Sequence, residues 1–231
     1  VLIPHTLSEL ETIIESIIFA SKSLLYDEAI NLYYQKLIGE DERLIVDKIG
    51  AYTSLLFCLS HFYEDGDWYK IFNDLSNQNK LFILKETGKY LSVVEGYGSE
   101  NAANVFREAR SLTNKETKKE YLLEILLGQC RYYRLKGKLN KSKEIADEIS
   151  ILESEKFSST IFSDRGLASF HFYMGCFQES LKYSSKYNIS NISLKNADLD
   201  INEPIISCIG YQALNLWILG NKEEAFKFKN R

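Results

Sequence analysis

Apolar residues recur at helical spacing along almost the whole chain. Leu10, Ile13, Ile14, Ile17 and Ile18 fall at i, i+3, i+4, i+7 and i+8, which defines one apolar helix face. Ile49, Tyr52, Leu56, Leu59 and Phe62/Tyr63 predict a second such face, and Leu122, Ile125, Leu126, Cys130 and Tyr133 a third. No Asn-Gly or Asp-Gly pair joins two alternating apolar runs, so no β-hairpin is predicted. Asp65-Gly66-Asp67 reads as a turn between two helical patterns instead.

Glycines punctuate this pattern. Tyr132-Tyr133-Arg134-Leu135-Lys136-Gly137 leads to Ser142 and Ala146; Phe170-His171-Phe172-Tyr173-Met174-Gly175 leads to Ser180 and Ser184; Leu216-Trp217-Ile218-Leu219-Gly220 leads to Ala225. Seven residues before each of these glycines stands another small residue: Cys130, Ala168 or Ala213. The expected unit is a helix hairpin. Glycine closes the turn in a left-handed conformation, and the small residues let the two helices approach. Two looser copies are read at Tyr63…Gly66, leading into Tyr69–Leu75, and at Gly96/Gly98, leading to Ala102, Phe106 and Ala109. Leu24-Leu25-Tyr26-Asp27-Glu28-Ala29 reads as an earlier copy that has lost its glycine. Neighbouring units lie about 30 to 45 residues apart, the period range of a helical solenoid.

These residues resemble the tetratricopeptide repeat. Ala102, Phe106 and Ala109 match its pattern, as does Gly220-Asn-Lys-Glu-Glu-Ala225. Ser142 and Ser180 stand where Ala is usual, Lys229 where an aromatic is common, and the proline that often ends a repeat is missing. Trp217-Ile218-Leu219-Gly220 is similar to a W-x-L-G segment in the repeats of bacterial ATPase-linked regulators. Tyr26-Asp-Glu-Ala29 with Tyr33-Tyr34, then Lys48-Ile49-Gly50-Ala51-Tyr52, Leu55/Leu59/Phe62 and Trp68, resembles the opening of the repeat region that follows a NACHT- or NB-ARC-type module. Those proteins are the STAND signalling ATPases, whose repeats act as the sensor. The resemblance implies an all-α fold over residues 1–231: a right-handed superhelical array of antiparallel helix pairs, a TPR-like α-solenoid. It implies a non-catalytic sensor or scaffold that binds a protein or peptide. A peptide-binding domain of a bacterial transcriptional regulator is the alternative, and a small transferase a third reading.

Composition fits helices. Two prolines in 231 residues is far below the roughly 5% of an average chain, and proline inside a helix costs about 3 kcal/mol or more. No apolar run approaches the roughly 18 residues of a membrane span, so no membrane partner is predicted. Cys58, Cys130, Cys176 and Cys208 are far apart and sit in apolar helical contexts, which predicts buried, reduced thiols and a cytoplasmic protein. Neither they nor His5, His61 and His171 are spaced as metal ligands. Gly88-Lys89 and Gly137-Lys138 lack the remainder of a P-loop, and no G-x-S-x-G or H-E-x-x-H occurs, so neither catalysis nor a cofactor is predicted. The chain lacks an initiator Met, and Glu223–Arg231 reads as a helix just begun. One domain of a larger protein is therefore expected, with any oligomerisation left to that larger protein.

Charge is uneven. Residues 1–106 hold 8 Lys/Arg against 16 Asp/Glu, residues 107–143 hold 11 against 4, and residues 144–231 hold 9 against 12. The basic middle is either a solvated helix surface or a site for an anionic partner. The acidic overall balance and the lack of a known motif argue against nucleic acid. In solenoids of the resembled kind the first helix of each pair lines the concave face. Positions ten, six and three before the turn glycine share one helix side. They are Leu127, Arg131 and Arg134; Arg165, Ser169 and Phe172; Leu56, Ser60 and Tyr63; and Gly210, Leu214 and Trp217. Arginines beside aromatics can hold a carboxylate or phosphate through the guanidinium fork. The candidate ligand-binding residues are thus Tyr63, Arg131, Arg134, Arg165 and Phe172. Packing between successive hairpins is the competing role for Tyr63, Phe172 and Trp217.

Overall fold

A computed structural model describes residues 7–38, 51–156, 161–187 and 199–228. Among them are eleven α-helices: α1 (Leu7–Lys22), α2 (Tyr26–Tyr33), α3 (Tyr52–Ser60), α4 (Asn77–Val94), α5 (Glu100–Ser111), α6 (Lys119–Leu135), α7 (Leu139–Lys156), α8 (Ile161–Tyr173), α9 (Phe177–Ser184), α10 (Leu199–Ile218) and α11 (Lys222–Phe226). The predicted Lys48-Ile49-Gly50 segment and Lys229 lie outside the described residues. The chain divides into two compact units, residues 1–128 and 129–231, and the division falls within α6.

Four hairpin turns have the same backbone. Gly137, Gly175 and Gly220 have φ of 69°, 75° and 87°. The residue after each glycine donates to the carbonyl five positions earlier: Lys138 N to Tyr133 O at 2.8 Å, Cys176 N to His171 O at 2.8 Å, and Asn221 N to Leu216 O at 2.9 Å. This is the six-to-one bond of a Schellman helix stop. Leu24 occupies the same place at φ 62°, and Leu25 N donates to Ala20 O at 2.9 Å. The copy without glycine therefore keeps the turn and holds a leucine in the left-handed region. Five residues past each turn residue the small side chain meets the first helix. Ala29 is fully buried, Ser142 Oγ donates to Cys130 O at 3.1 Å, and Ser180 Oγ donates to Ala168 O at 2.7 Å. The two serines that replace alanine thus find acceptors on the neighbouring helix backbone.

In the first unit α1 pairs with α2, α1 also packs on α3, α3 on α4, and α4 on α5. Ser21 Oγ reaches His61 O at 2.7 Å, and Asn79 Nδ2 reaches Asp27 Oδ1 at 2.6 Å. The α4 helix is buried over most of its circumference, from Leu81 to Ser92. Its periodicity is therefore blunted, and it carries a buried charge cluster. Lys85 Nζ lies 2.5 Å from Glu86 Oε1 and 3.0 Å from Glu124 Oε2, and 4.7 Å from the centre of the Tyr121 ring. Burial alone would lower the Lys85 pKa, but the two carboxylates outweigh it and hold the ammonium charged. Phe106 fills a slot left by glycines. A Cβ on Gly88 would come within 2.7 Å of its ring, and one on Gly128 within 2.3 Å.

The Gly66 region corrects the sequence reading. Residues 67–76 form no helix. Asp65 and Gly66 are both left-handed (φ 53° and 71°), and the chain doubles back so that Tyr63 pairs with Ile71 in an antiparallel bridge. Glu64 N donates to Lys70 O at 2.8 Å. The apolar residues Phe62, Tyr63, Ile71 and Leu75 are buried from loop positions, which a helical period cannot distinguish from a second helix. By contrast, the Gly96 copy is a helix pair. Ser99 caps α5 by accepting from Ala102 N at 3.1 Å, and Ala102, Phe106 and Ala109 are buried.

In the second unit α7 packs on α8, α8 on α9, α9 on α10, and α10 on α11, while α8 also packs on α10. The α8 helix therefore touches both its own partner, α9, and the next first helix, α10. Among the described residues no helix is long and apolar enough to cross a membrane.

Candidate functional site

Three helices of the second unit carry the candidate face: α8, α10 and the part of α6 from Gln129 onward. Two contacts fix the direction of α6 relative to α8. The Cys130 sulfur lies 3.8 Å from where a Gly166 Cβ would stand, and Arg134 Nη1 donates to Ser169 Oγ at 2.8 Å. Both positions advance together along the chain, so α6 and α8 run parallel. The same holds for α8 and α10: Ile161 clusters with Ile205 and Cys208, and further along Phe172 packs on Tyr211 with ring centroids 5.4 Å apart. Parallel packing sets neighbouring first helices in the same direction, with the contacts offset by several residues: Arg134, three before its glycine, meets Ser169, six before the next.

Within this frame the sequence-derived residues separate. Arg131 and Arg134 are half-buried on α6, and Arg165 is buried on α8 at 7% exposure. Arg134 has its Ser169 bond, while its Nε is buried and finds no hydrogen-bond partner among the described residues. Phe172 is half-buried against Tyr173, Phe177 and Tyr211. Tyr63 belongs to the first unit. It is 2% exposed, packs edge-on against Trp68 at 5.1 Å, and burial pushes its hydroxyl well above the ordinary tyrosine range. Its role is core packing, because a bridge residue facing α4 has no route to a surface stripe. Trp217 is 46% exposed, with Phe226 edge-on at 5.2 Å.

Two residues absent from the sequence-derived set complete the face. The proximity of Tyr211, together with burial, raises the Tyr173 pKa, with Arg134 opposing. Their only sequence signal was an aromatic two and nine residues before a turn glycine. Arg134, Ser169, Phe172, Tyr173 and Tyr211 therefore join across three helices.

Buried carboxylates hold this face in place. Glu153, 1% exposed, accepts from Phe162 N at 3.0 Å and Ser163 N at 2.9 Å, and so caps the first turn of α8 from the end of α7. Asp164 accepts from Lys186 Nζ and Tyr187 Oη, both at 2.7 Å, which ties the segment after α9 back to α8. Burial raises the Glu153 carboxyl above its ordinary value, with the Ser163 and Phe162 donors offsetting part of the shift.

The cysteine expectation holds for Cys58, Cys130 and Cys208, which are buried. Cys176 is exposed, because it is the turn residue that precedes α9. Among the described residues no group of three or more His, Cys, Asp or Glu side chains is placed to hold a metal ion. His171 lies on another side of α8, stacked on Tyr183 at 5.6 Å, and burial lowers its pKa. What the candidate face offers is a half-buried guanidinium, hydroxyl groups and aromatic rings, groups that can hold an anion or a side chain. No protein-family model matches the chain, and neither the curated proteins nor the solved structures contain a match.

Proposed function

We propose that the chain is a non-catalytic helical-repeat module, a right-handed TPR-like array. In this reading its second unit binds an acidic protein or peptide segment along the faces of its first helices. The observation that carries it is the Arg134–Ser169 bond between α6 and α8. Positions three and six before two successive turn glycines meet there, as they must if equivalent helix sides form one continuous surface. Arg131, one turn before Arg134, and Phe172, one turn after Ser169, extend that surface, and Arg165 supplies positive charge from beneath. A carboxylate suits a guanidinium that already has one neutral hydroxyl partner, since charge-assisted bonds are about twice as strong as neutral ones. Four identical turns support the repeat reading, and the resemblance of the first seventy residues supports a role as sensor or scaffold of a larger signalling ATPase in the cytoplasm.

The test uses the full chain and a fluorescein-labelled peptide of alternating Glu and Ser, followed by anisotropy. Saturable binding that weakens with salt is expected, falling at least tenfold in the Arg131→Glu/Arg134→Glu double variant. Unchanged binding together with an unchanged melting temperature overturns the assignment.

A further inference from the structure

The three first helices differ in the side chains that they place on the shared stripe. At positions ten, six and three before the turn, α6 supplies Arg131 and Arg134 from the last two. The α8 helix supplies Arg165, Ser169 and Phe172, and α10 supplies Gly210, Leu214 and Trp217. Positive charge thus falls from two arginines to one to none, while apolar character rises. The α10 side chains on this stripe are about half exposed. Leu214 is 50% exposed, Trp217 46%, and Ile206, four residues before Gly210 on the same side, 56%. Gly210 is exposed, and a Cβ there would meet nothing within 4 Å, so backbone can approach closely. Phe226 widens this patch beside Trp217. Four large apolar residues, each about half exposed, leave roughly 400 Å² of apolar surface, the size of a patch that on a monomer is often functional.

We infer that the ligand is a bipartite peptide: an acidic residue seated on Arg131 and Arg134, and a bulky apolar residue seated on Leu214 and Trp217. This rests on the peptide-binding reading above and adds the partner's chemistry and spacing. The occupant follows from charge complementarity at one end and from continuity at the other. The α10 stripe prolongs the surface on which Arg134 meets Ser169 and Phe172 meets Tyr211. Packed helices lie about 8–10 Å apart, so α6 and α10 are separated by about 16–20 Å across α8. An extended chain advances about 3.3 Å per residue. The acidic and apolar anchors are therefore about five or six residues apart, with the intervening residues crossing Ser169, Phe172 and the Tyr173–Tyr211 pair.

The test titrates the full chain with fluorescein-labelled peptides that carry Glu-Glu and Leu-Phe, in both orders, separated by one, five or ten Gly/Ser residues. Glu-Glu and Leu-Phe peptides alone serve as references. The five-residue spacer is expected to bind at least tenfold tighter than Glu-Glu alone and several-fold tighter than the one-residue spacer. The Leu214→Ser/Trp217→Ser variant, whose altered side chains are half exposed, is expected to bring the five-residue peptide down to Glu-Glu affinity and leave Glu-Glu binding unchanged. Equal affinity for all spacers and for Glu-Glu alone overturns the bipartite ligand and leaves the anionic site standing. No binding of any peptide removes both. The spacer series on the unaltered protein decides the matter without any variant.

Discussion

Leu24 offers the sharpest test of the hairpin unit. It sits at φ 62° where three equivalent turns have glycine, and its side chain is 68% exposed. Replacing it with glycine should therefore remove strain and lose little contact. A left-handed conformation costs a residue with a Cβ about 1–2 kcal/mol, and glycine gives back about 0.5–1 kcal/mol through the freedom it adds to the unfolded chain. The net expectation for Leu24→Gly is a gain of about 0.5–1 kcal/mol. Leu24→Ala is the control, since it shortens the same side chain and keeps the strain. Urea denaturation of the full chain, with the midpoint compared at constant slope, should rank Leu24→Gly above the unaltered protein and Leu24→Ala at or slightly below it. If Leu24→Gly proves no more stable than Leu24→Ala, the left-handed turn at residue 24 is wrong, and with it the claim that the Leu24 copy shares the geometry of Gly137, Gly175 and Gly220.

Two further outcomes follow from contacts described above. Gly128→Ala drives a Cβ to within 2.3 Å of the buried Phe106 ring, so a loss of about 1–3 kcal/mol is expected from overpacking; pairing it with Phe106→Leu should recover part of that loss in the same denaturation assay. Glu153 binds its proton more tightly folded than unfolded, because burial raises its pKa above the ordinary 4.5. Between those two values the folded state holds more protons, so stability falls as pH rises through that window. Melting temperatures from pH 4 to 8 should show this slope, and Glu153→Gln should flatten it; equal slopes would contradict the buried capping role.

The parts of the fold legible in the sequence were those set by local rules. The glycines at 137, 175 and 220 marked left-handed helix stops, the small residues at 142, 180 and 225 marked the hairpin partner, and the sequence from Leu24 to Ala29 marked a copy that kept its turn without glycine. Residues 62–76 misled because their apolar spacing suits a buried loop as well as a helix. The charge clusters were hidden for a different reason. Lys85 meets Glu124 from 39 residues away, and Glu153 caps the start of the next helix, at Phe162 and Ser163. Nothing in a periodic pattern distinguishes such residues from solvated ones. At the candidate face, alignment on the turn glycines placed Arg134 and Ser169 on matching helix sides, and the structure joins them. The same alignment also put Tyr63 on a stripe, although its turn belongs to the antiparallel bridge and not to a helix pair. Tyr173 and Tyr211 each stand one residue along from an aligned position, Phe172 and Gly210, and so about 100° around the helix from it; only the packing of α8 on α10 brings them into the face.

The central claim is that the first helices of the second unit present one ligand surface. Titrating the isotope-labelled full chain with the five-residue-spacer peptide, and following amide shifts by nuclear magnetic resonance, tests it most directly. Shifts confined to Arg131, Arg134, Ser169, Phe172, Tyr211, Leu214 and Trp217 and their immediate neighbours are predicted. Shifts concentrated on α7, α9 or the first unit, with these positions unmoved, would contradict it.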